Sequence, residues 1–562
     1  MSVLRKLEVD GYSVKLNLSH QILSLVMPET PHEQRSLLPT LPKHRFPSAA
    51  TLLFKAKQFD DGLVAAIELA VQQGVGKFPS KARLLLSLAQ KLASAPTDTQ
   101  INALAILAAA CELGGIPVSE LPVLPEAVSI VSHFRRDTNQ SKPISFYTWN
   151  EQLKTLFQQD RLLQQPVEPE IAKVFKEGLE HLSEGIETYK TLLNLTNKFT
   201  NPPHRPCILD ELRVARIGRV VPEIHFPRFL PPARSHEVDL IEKLYGDTPI
   251  PDGFELLTEF VNRVQNGRLS LTPNHQSGWY DYQVWSQEPL LVPNQMPEIA
   301  WLSLNSHYRH YLVDVFRAAF ALTRETHAKA GGRGLGGGGG RARLQVIRIS
   351  PDLRVEPTVS LYQRKVISYR FVRSVLEHFF GATALKQIHR LTPEGPVEPH
   401  LAAELTAIEN LFAGAYLVSC EDIGMRPEAN FVTNDAAVCR EFRTWAKYSS
   451  EDRDLWRDGR MMVPVFYDEL REKWKVWLFL GWDFRNLSVK YKQTPEVLDC
   501  RRVSKGMPDL REDVRLQFDM ETHSLPLPVV AETYVTEIMD RDEFRRFCDA
   551  HQTRTRILAK LS

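Results

Sequence analysis

Two stretches of the chain carry side chains that could do chemistry together. Residues 274–285 read Asn-His-Gln-Ser-Gly-Trp-Tyr-Asp-Tyr-Gln-Val-Trp, so Trp279, Tyr280, Tyr282 and Trp285 surround Asp281. Such a segment can stack a flat ligand while a carboxylate and amides bond its edge, although large aromatics more commonly supply core area. Further on, His307, His310, Asp314, Arg317, Arg324 and Glu325 fall on one stripe of a helical pattern. Two histidines and a carboxylate at i, i+3 and i+7 could meet a metal, and two arginines could hold an anionic group. The same spacing suits a polar seam closed by internal hydrogen bonds, and no metal or cofactor is expected from it.

The stripe needs a long helix to carry it. An apolar periodicity from about Glu298 to Lys329 supplies one, with Leu304, Tyr308, Tyr311, Leu312, Val315, Ala318, Ala319 and Leu322 within about 80° of one line. Val313, Phe316 and Phe320 gather on the other side, which implies packing between two layers. Directly after it, eight of the 28 glycines fall between Gly331 and Gly340. Gly332, Gly334 and Gly337 match G-x-G-x-x-G, but the dinucleotide fingerprint requires a strand before and a helix after, and here the order is reversed. A connector is expected instead.

Residues 341–390 carry a local charge of +7 and residues 391–439 one of −7. Adjacent blocks of opposite sign in one domain are expected to neutralise each other, which makes nucleic acid an unlikely partner. Within the basic block, the adjacent Arg364 and Lys365 are the best candidates for a phosphate contact.

Across all 562 residues the formal charge is +1, with 43% apolar and 24% charged residues, an ordinary globular composition. Arg5, Lys6, Glu8 and Asp10 interrupt any signal-peptide core, and no uncharged apolar window reaches membrane-spanning length. The six cysteines form no C-x-x-C or zinc spacing, so reduced thiols in a cytoplasmic protein are expected. No G-x-S-x-G, H-E-x-x-H, P-loop, EF-hand or kinase motif occurs.

The pattern predicts an α+β, multidomain chain: a mainly helical N-terminal domain over 1–199 opening on a β-hairpin, a helical middle region over 200–330, the 331–340 connector, and a mixed C-terminal domain over 341–562 with an antiparallel sheet. Capped helices are expected at Lys81–Ala93 and Ile101–Leu113, and strands at 358–363, 415–420, 462–467, 476–482 and 487–491. Ile171, Phe175, Leu179, Leu182, Ile186, Tyr189 and Leu193 predict one amphipathic helix over 168–199, which could recruit a protein partner. These features point to a binding or scaffolding protein. The alternative is an enzyme acting on an anionic or aromatic small molecule, with residues 279–285 and 307–324 lining its pocket. Oligomeric state is not legible in the sequence.

Overall fold

Alternating polar and apolar residues near the start build a hairpin of β1 (Leu4–Val9) and β2 (Tyr12–Asn17), followed by β3 (Ile22–Val26). The computed structural model describes residues 4–561 apart from 10–11, 20, 30–35, 43–45, 95–96, 120, 123, 211–213, 216–222, 225, 247, 329–347 and 503–515. The glycine run therefore lies outside the described residues.

Ser48 caps α1 (Ala49–Gln73) by accepting the Thr51 N–H at 3.1 Å, and Gly74, at φ 78°, ends it. Every residue from Ala49 to Ile67 except Lys55 is buried, so this helix is the axis around which the other elements pack. Next come α2 (Lys81–Ala93) and α3 (Asp98–Leu113), the latter opened by a Thr97/Gln100 capping box, as the sequence predicts. They are followed by α4 (Pro125–Arg136), α5 (Thr138–Ser141) and α6 (Glu151–Leu163).

The single helix expected over 168–199 is two helices, α7 (Pro169–Glu180) and α8 (Gly185–Phe199). Glu184 turns left-handed at φ 59°, and a Cβ on Gly185 would meet the Leu179 carbonyl oxygen at 2.4 Å. The apolar periodicity survives this break because both halves bury the same seam, Phe175, Leu179, Tyr189, Leu192 and Phe199, inside the fold.

The middle of the chain contributes the short pair β4 (Val214–Ala215) and β5 (Glu223–Ile224), then α9 (His236–Leu244), α10 (Leu256–Gln265) and α11 (Trp279–Gln287). The long helix expected from Glu298 begins later: β6 (Leu302–Leu304) runs parallel to β3, and only then does α12 (Ser306–Ala328) start.

Past the glycines stand β7 (Arg348–Ile349), α13 (Val359–Phe380), the hairpin of β8 (His389–Thr392) and β9 (Gly395–His400), α14 (Leu401–Ile423) and α15 (Asp435–Tyr448). Of residues 358–363 and 415–420, expected as strands, 359–363 and 415–420 are helical parts of α13 and α14 and Thr358 precedes α13. Short apolar runs do not separate a buried strand from a buried helix, and α14 is apolar on nearly all sides. It is the one helix among the described residues long and apolar enough to cross a membrane, yet Phe412 to Cys420 are buried in this fold.

The C-terminal strands are β10 (Met461–Asp468), β11 (Lys473–Gln493), β12 (Glu496–Arg502), β13 (Gln517–Phe518) and β14 (Glu521–Val535), of which β10, β11 and β14 share one sheet, and α16 (Arg541–His551) and α17 (Arg554–Leu561) close the chain. The two strands expected over 476–482 and 487–491 are one continuous β11. A bulge at Phe479/Gly481, with Gly481 at φ 119°, interrupts its alternation. One edge of β11 pairs antiparallel with β14 along its length; the other pairs with β10 and then with β3. The β12 strand adds to the N-terminal hairpin, while β13 pairs with β7. All three strands of the first 26 residues are thus built into sheets with C-terminal strands. Helices predominate in the N-terminal half and antiparallel sheet in the C-terminal part, an α+β fold.

The opposed charge blocks meet where their described residues allow. Arg370 and Arg373 hold Glu409 at 2.9 and 2.8 Å, and Arg354 reaches Glu421 at 3.0 Å and also binds Asp422. Close packing of α14 on α15 depends on Gly414, where a Cβ would lie 2.3 Å from the Phe442 Cβ and 3.0 Å from the Val438 oxygen. Gly414→Ala is expected to destabilise the protein by about 1–3 kcal/mol through overpacking, read from the urea midpoint at unchanged m-value.

Candidate functional site

Polar side chains inside α1 begin the site. Lys57, Asp60 and Asp61 are 3%, 4% and 0% exposed, so each needs a partner in the interior. Lys57 Nζ bonds both Asp61, one turn on, and Glu325 of α12. Arg541 of α16 closes the group, with Nη2 at 3.1 Å from Asp61 and 2.9 Å from Glu325, and Thr326 donates to Asp61 at 2.7 Å. Two cations thus face two anions. Burial pushes the Glu325 carboxyl up, but Arg541 and Lys57 outweigh it and hold the group below its ordinary range.

Asp60 faces a second direction. It accepts from the Tyr369 hydroxyl at 2.9 Å and from Gln283 Nε2 at 2.8 Å, and burial raises its pKa to about 6 against the nearby Lys365. Gln283 thereby turns its oxygen to His327 Nε2, 2.6 Å away. That nitrogen must carry the proton, which leaves Nδ1 with a lone pair. Burial, together with the positive charges of Lys57 and Arg324, holds His327 down to about 3, a neutral imidazole at ordinary pH.

His327 stands at the junction of two cavities. The first, of about 230 Å³, lies between α5, α6, the end of α12 and the sheet, and is lined by Asn139, Lys142, Arg161, Arg324 and Trp474 among others. No carboxylate is among its lining residues. Arg324 ion-pairs with the buried Glu237 at 2.6 Å, and Lys142 is bonded to the Ile538 carbonyl at 3.1 Å and to Glu543. Arg161 differs from both: its Nη2 donates to Gln140 at 2.6 Å, and among the described residues no carboxylate lies at ion-pair distance from it. The second cavity, of about 150 Å³, shares Gln164, Ala233 and His327 with the first and continues between α1 and α8.

The residues singled out from the sequence divide between places. Residues 279–285 are helical in α11. Trp279 is core, stacked on Phe199 at 5.6 Å and bonded to Ser368 at 3.1 Å. Tyr280 donates to Glu237 at 2.9 Å and so meets Arg324 through that shared carboxylate. Asp281 binds Asn201 and Ser277 at 2.7 Å each and His236 at 3.1 Å. Burial opposes its charge, yet the bonds from His236, Ser277 and Asn201 prevail and bring its carboxyl to about 2.

His310, Asp314 and Arg317 line a separate open groove of about 660 Å³ beside Gln265 and Asn294. His307 is half-buried outside it. Fourteen helical positions separate His310 from Arg324, about 20 Å along α12, so the stripe does not converge on one pocket. Arg364 is held by Glu288 at 2.6 Å and lies 4.6 Å over the Trp285 ring, while Lys365 is 2% exposed beneath it. No group of three His, Cys, Asp or Glu side chains among the described residues is placed to hold a metal ion.

Sequence reading found Arg324 and missed Lys57, Asp60, Asp61, Arg161, His327 and Arg541. Its one available signal was Lys57-Gln58 and Asp60-Asp61 inside a helix apolar on every side, a pattern that demands internal partners.

Lys57→Met leaves two buried carboxylates to one arginine and is expected to cost about 3–5 kcal/mol in urea unfolding. His327 supplies a pH signature. Its folded pKa of about 3 lies below the ordinary 6.5, so the unfolded chain takes up the proton first and stability falls as pH drops from 6.5 toward 3. Asp60 has the opposite sign, because its raised carboxyl costs stability as pH rises from 3.8 through about 6. Between pH 6 and 4, the stability difference between the wild type and His327→Gln is expected to change by about 1.4 kcal/mol per pH unit, the wild type losing stability relative to the variant as pH falls. Parallel slopes would show that His327 is freely protonated in the folded protein. No known protein family, curated protein or solved structure matches this chain.

Proposed function

We propose that the protein binds a small organic anion in the cavity between α6, α12 and the sheet. The observation that carries this reading is Arg161, an arginine with no carboxylate at ion-pair distance among the described residues, in a wall that also presents Lys142 and Arg324 and no acid. Asp137 acts on Arg161 only from beyond ion-pair distance; a cation without a direct ion pair in a concave site favours an anionic guest, and an arginine fork suits a carboxylate or phosphate. Trp474 and Phe157 offer apolar surface beside those charges.

Scaffolding through the 168–199 segment draws less support, since Phe175, Leu179 and Tyr189 of its seam are buried in the fold and Ile171, Leu182, Ile186 and Leu193 are half-buried. A second reading, an enzyme acting on the same anion, draws support from the Tyr369–Asp60–Gln283–His327 chain. It fixes one imidazole tautomer at the cavity, and a bound anion would lift the His327 pKa toward the range useful for proton transfer. The six free cysteines fit the cytoplasmic setting expected from the sequence.

Isothermal titration with benzoate tests the site. The wild type is expected to bind, and Arg161→Gln to lose about tenfold or more in affinity, the cost of one charge-assisted pair. Equal affinities in the two proteins, at unchanged thermal midpoints, would overturn the assignment.

A further inference from the structure

The two cavities that meet at His327 differ in character, and the difference specifies a guest. Three cations and no acid line the first; Lys142 and Arg324 are already paired with Glu543 and Glu237 behind the wall, and Arg161 is the one of the three with no carboxylate at ion-pair distance among the described residues. The second is walled by Val64, Ile67, Leu192, Leu195, Phe199 and Leu230. Its charged residues are Lys81, Asp160 and Glu68; Lys81 is neutralised by Asp160 at 2.5 Å, and Glu68 accepts from the Tyr147 hydroxyl. A cavity of about 150 Å³ with an apolar wall has room for a benzene-sized group; Gln164, Thr196 and Thr200 complete this one.

We infer that the ligand is an amphipathic anion: a carboxylate head held by Arg161 and Arg324 in the first cavity, and an aryl or short alkyl tail passing His327 into the second. This rests on the anion-binding reading of the first cavity and adds the chemical class and orientation of the guest. The apolar wall sets the direction. The reverse orientation would place the head against Ile67, Leu192 and Phe199, and a purely polar anion would leave that chamber unfilled.

The test is calorimetric titration of the full chain with acetate, benzoate and 4-phenylbutanoate, with inorganic phosphate as a tailless anion. Affinity is expected to rise at least about tenfold from acetate to 4-phenylbutanoate, the effect of burying one aromatic ring. Leu192→Trp, which fills the tail chamber, is expected to remove that gain while leaving acetate and phosphate binding within about twofold. Val71→Phe, at a half-buried position of the same wall, serves as a second block, and thermal midpoints report whether each variant folds. A flat series in the wild type overturns the amphipathic assignment while the anion site stands. Failure of every anion, phosphate included, to bind overturns both.

Discussion

Two full positive and two full negative charges in a dry interior are tolerable only together. Lys57, Asp61, Glu325 and Arg541 come from α1, α12 and α16, and each lies within reach of both groups of opposite sign. Removing any one leaves a buried charge without compensation, whereas apolar residues in all four places would carry no such penalty. The quartet therefore acts as a constraint of geometry: the three helices can pack in one relative register only. That register places Arg324 and His327, immediately flanking Glu325 and Thr326 on α12, at the cavity wall. Asp60, next to Asp61, is turned toward Gln283 in the same way.

A related device recurs at helix starts. Glu356 accepts the Ala49 N–H of α1 at 2.8 Å, Glu298 takes the Ser360 N–H of α13 at 3.0 Å, and Glu532 receives the Leu256 and Leu257 N–H groups of α10 at 2.6 and 3.0 Å. In each case a carboxylate distant in sequence satisfies donors that a helix leaves open and faces the positive end of its dipole. Glu356 is fully buried, and its pKa rises to about 7 because burial outweighs the bonds from Ala49 and Tyr308. Tertiary structure here is fastened by polar contacts set in one continuous apolar core.

This construction explains what could be read in advance. The capped helices α2 and α3 were legible because Ser80 and Thr97 do their work within three residues of themselves. The strands β10 and β11 were legible through dense aromatic and β-branched residues. Residues 415–420 misled because Ala-Tyr-Leu-Val-Ser-Cys has no period that tells a buried helix from a buried strand. The break between α7 and α8 was hidden because both halves present the same seam. The candidate site was the least legible part. Lys57 and Glu325 are 268 positions apart, and Asp61 and Arg541 are 480 apart, so neither pairing leaves a local pattern. Arg324 could be seen on its helix, but its cavity is formed by α5, α6 and the sheet, which no spacing within α12 reveals.

The most direct measurement is diffraction at the bromine edge from crystals grown with 4-(4-bromophenyl)butanoate. The account predicts a carboxylate between Arg161 and Arg324 and an anomalous bromine peak beyond His327, beside Val64 and Phe199. A bromine peak confined to other parts of the molecule, with the cavity closed by its own Arg161 side chain, would contradict it.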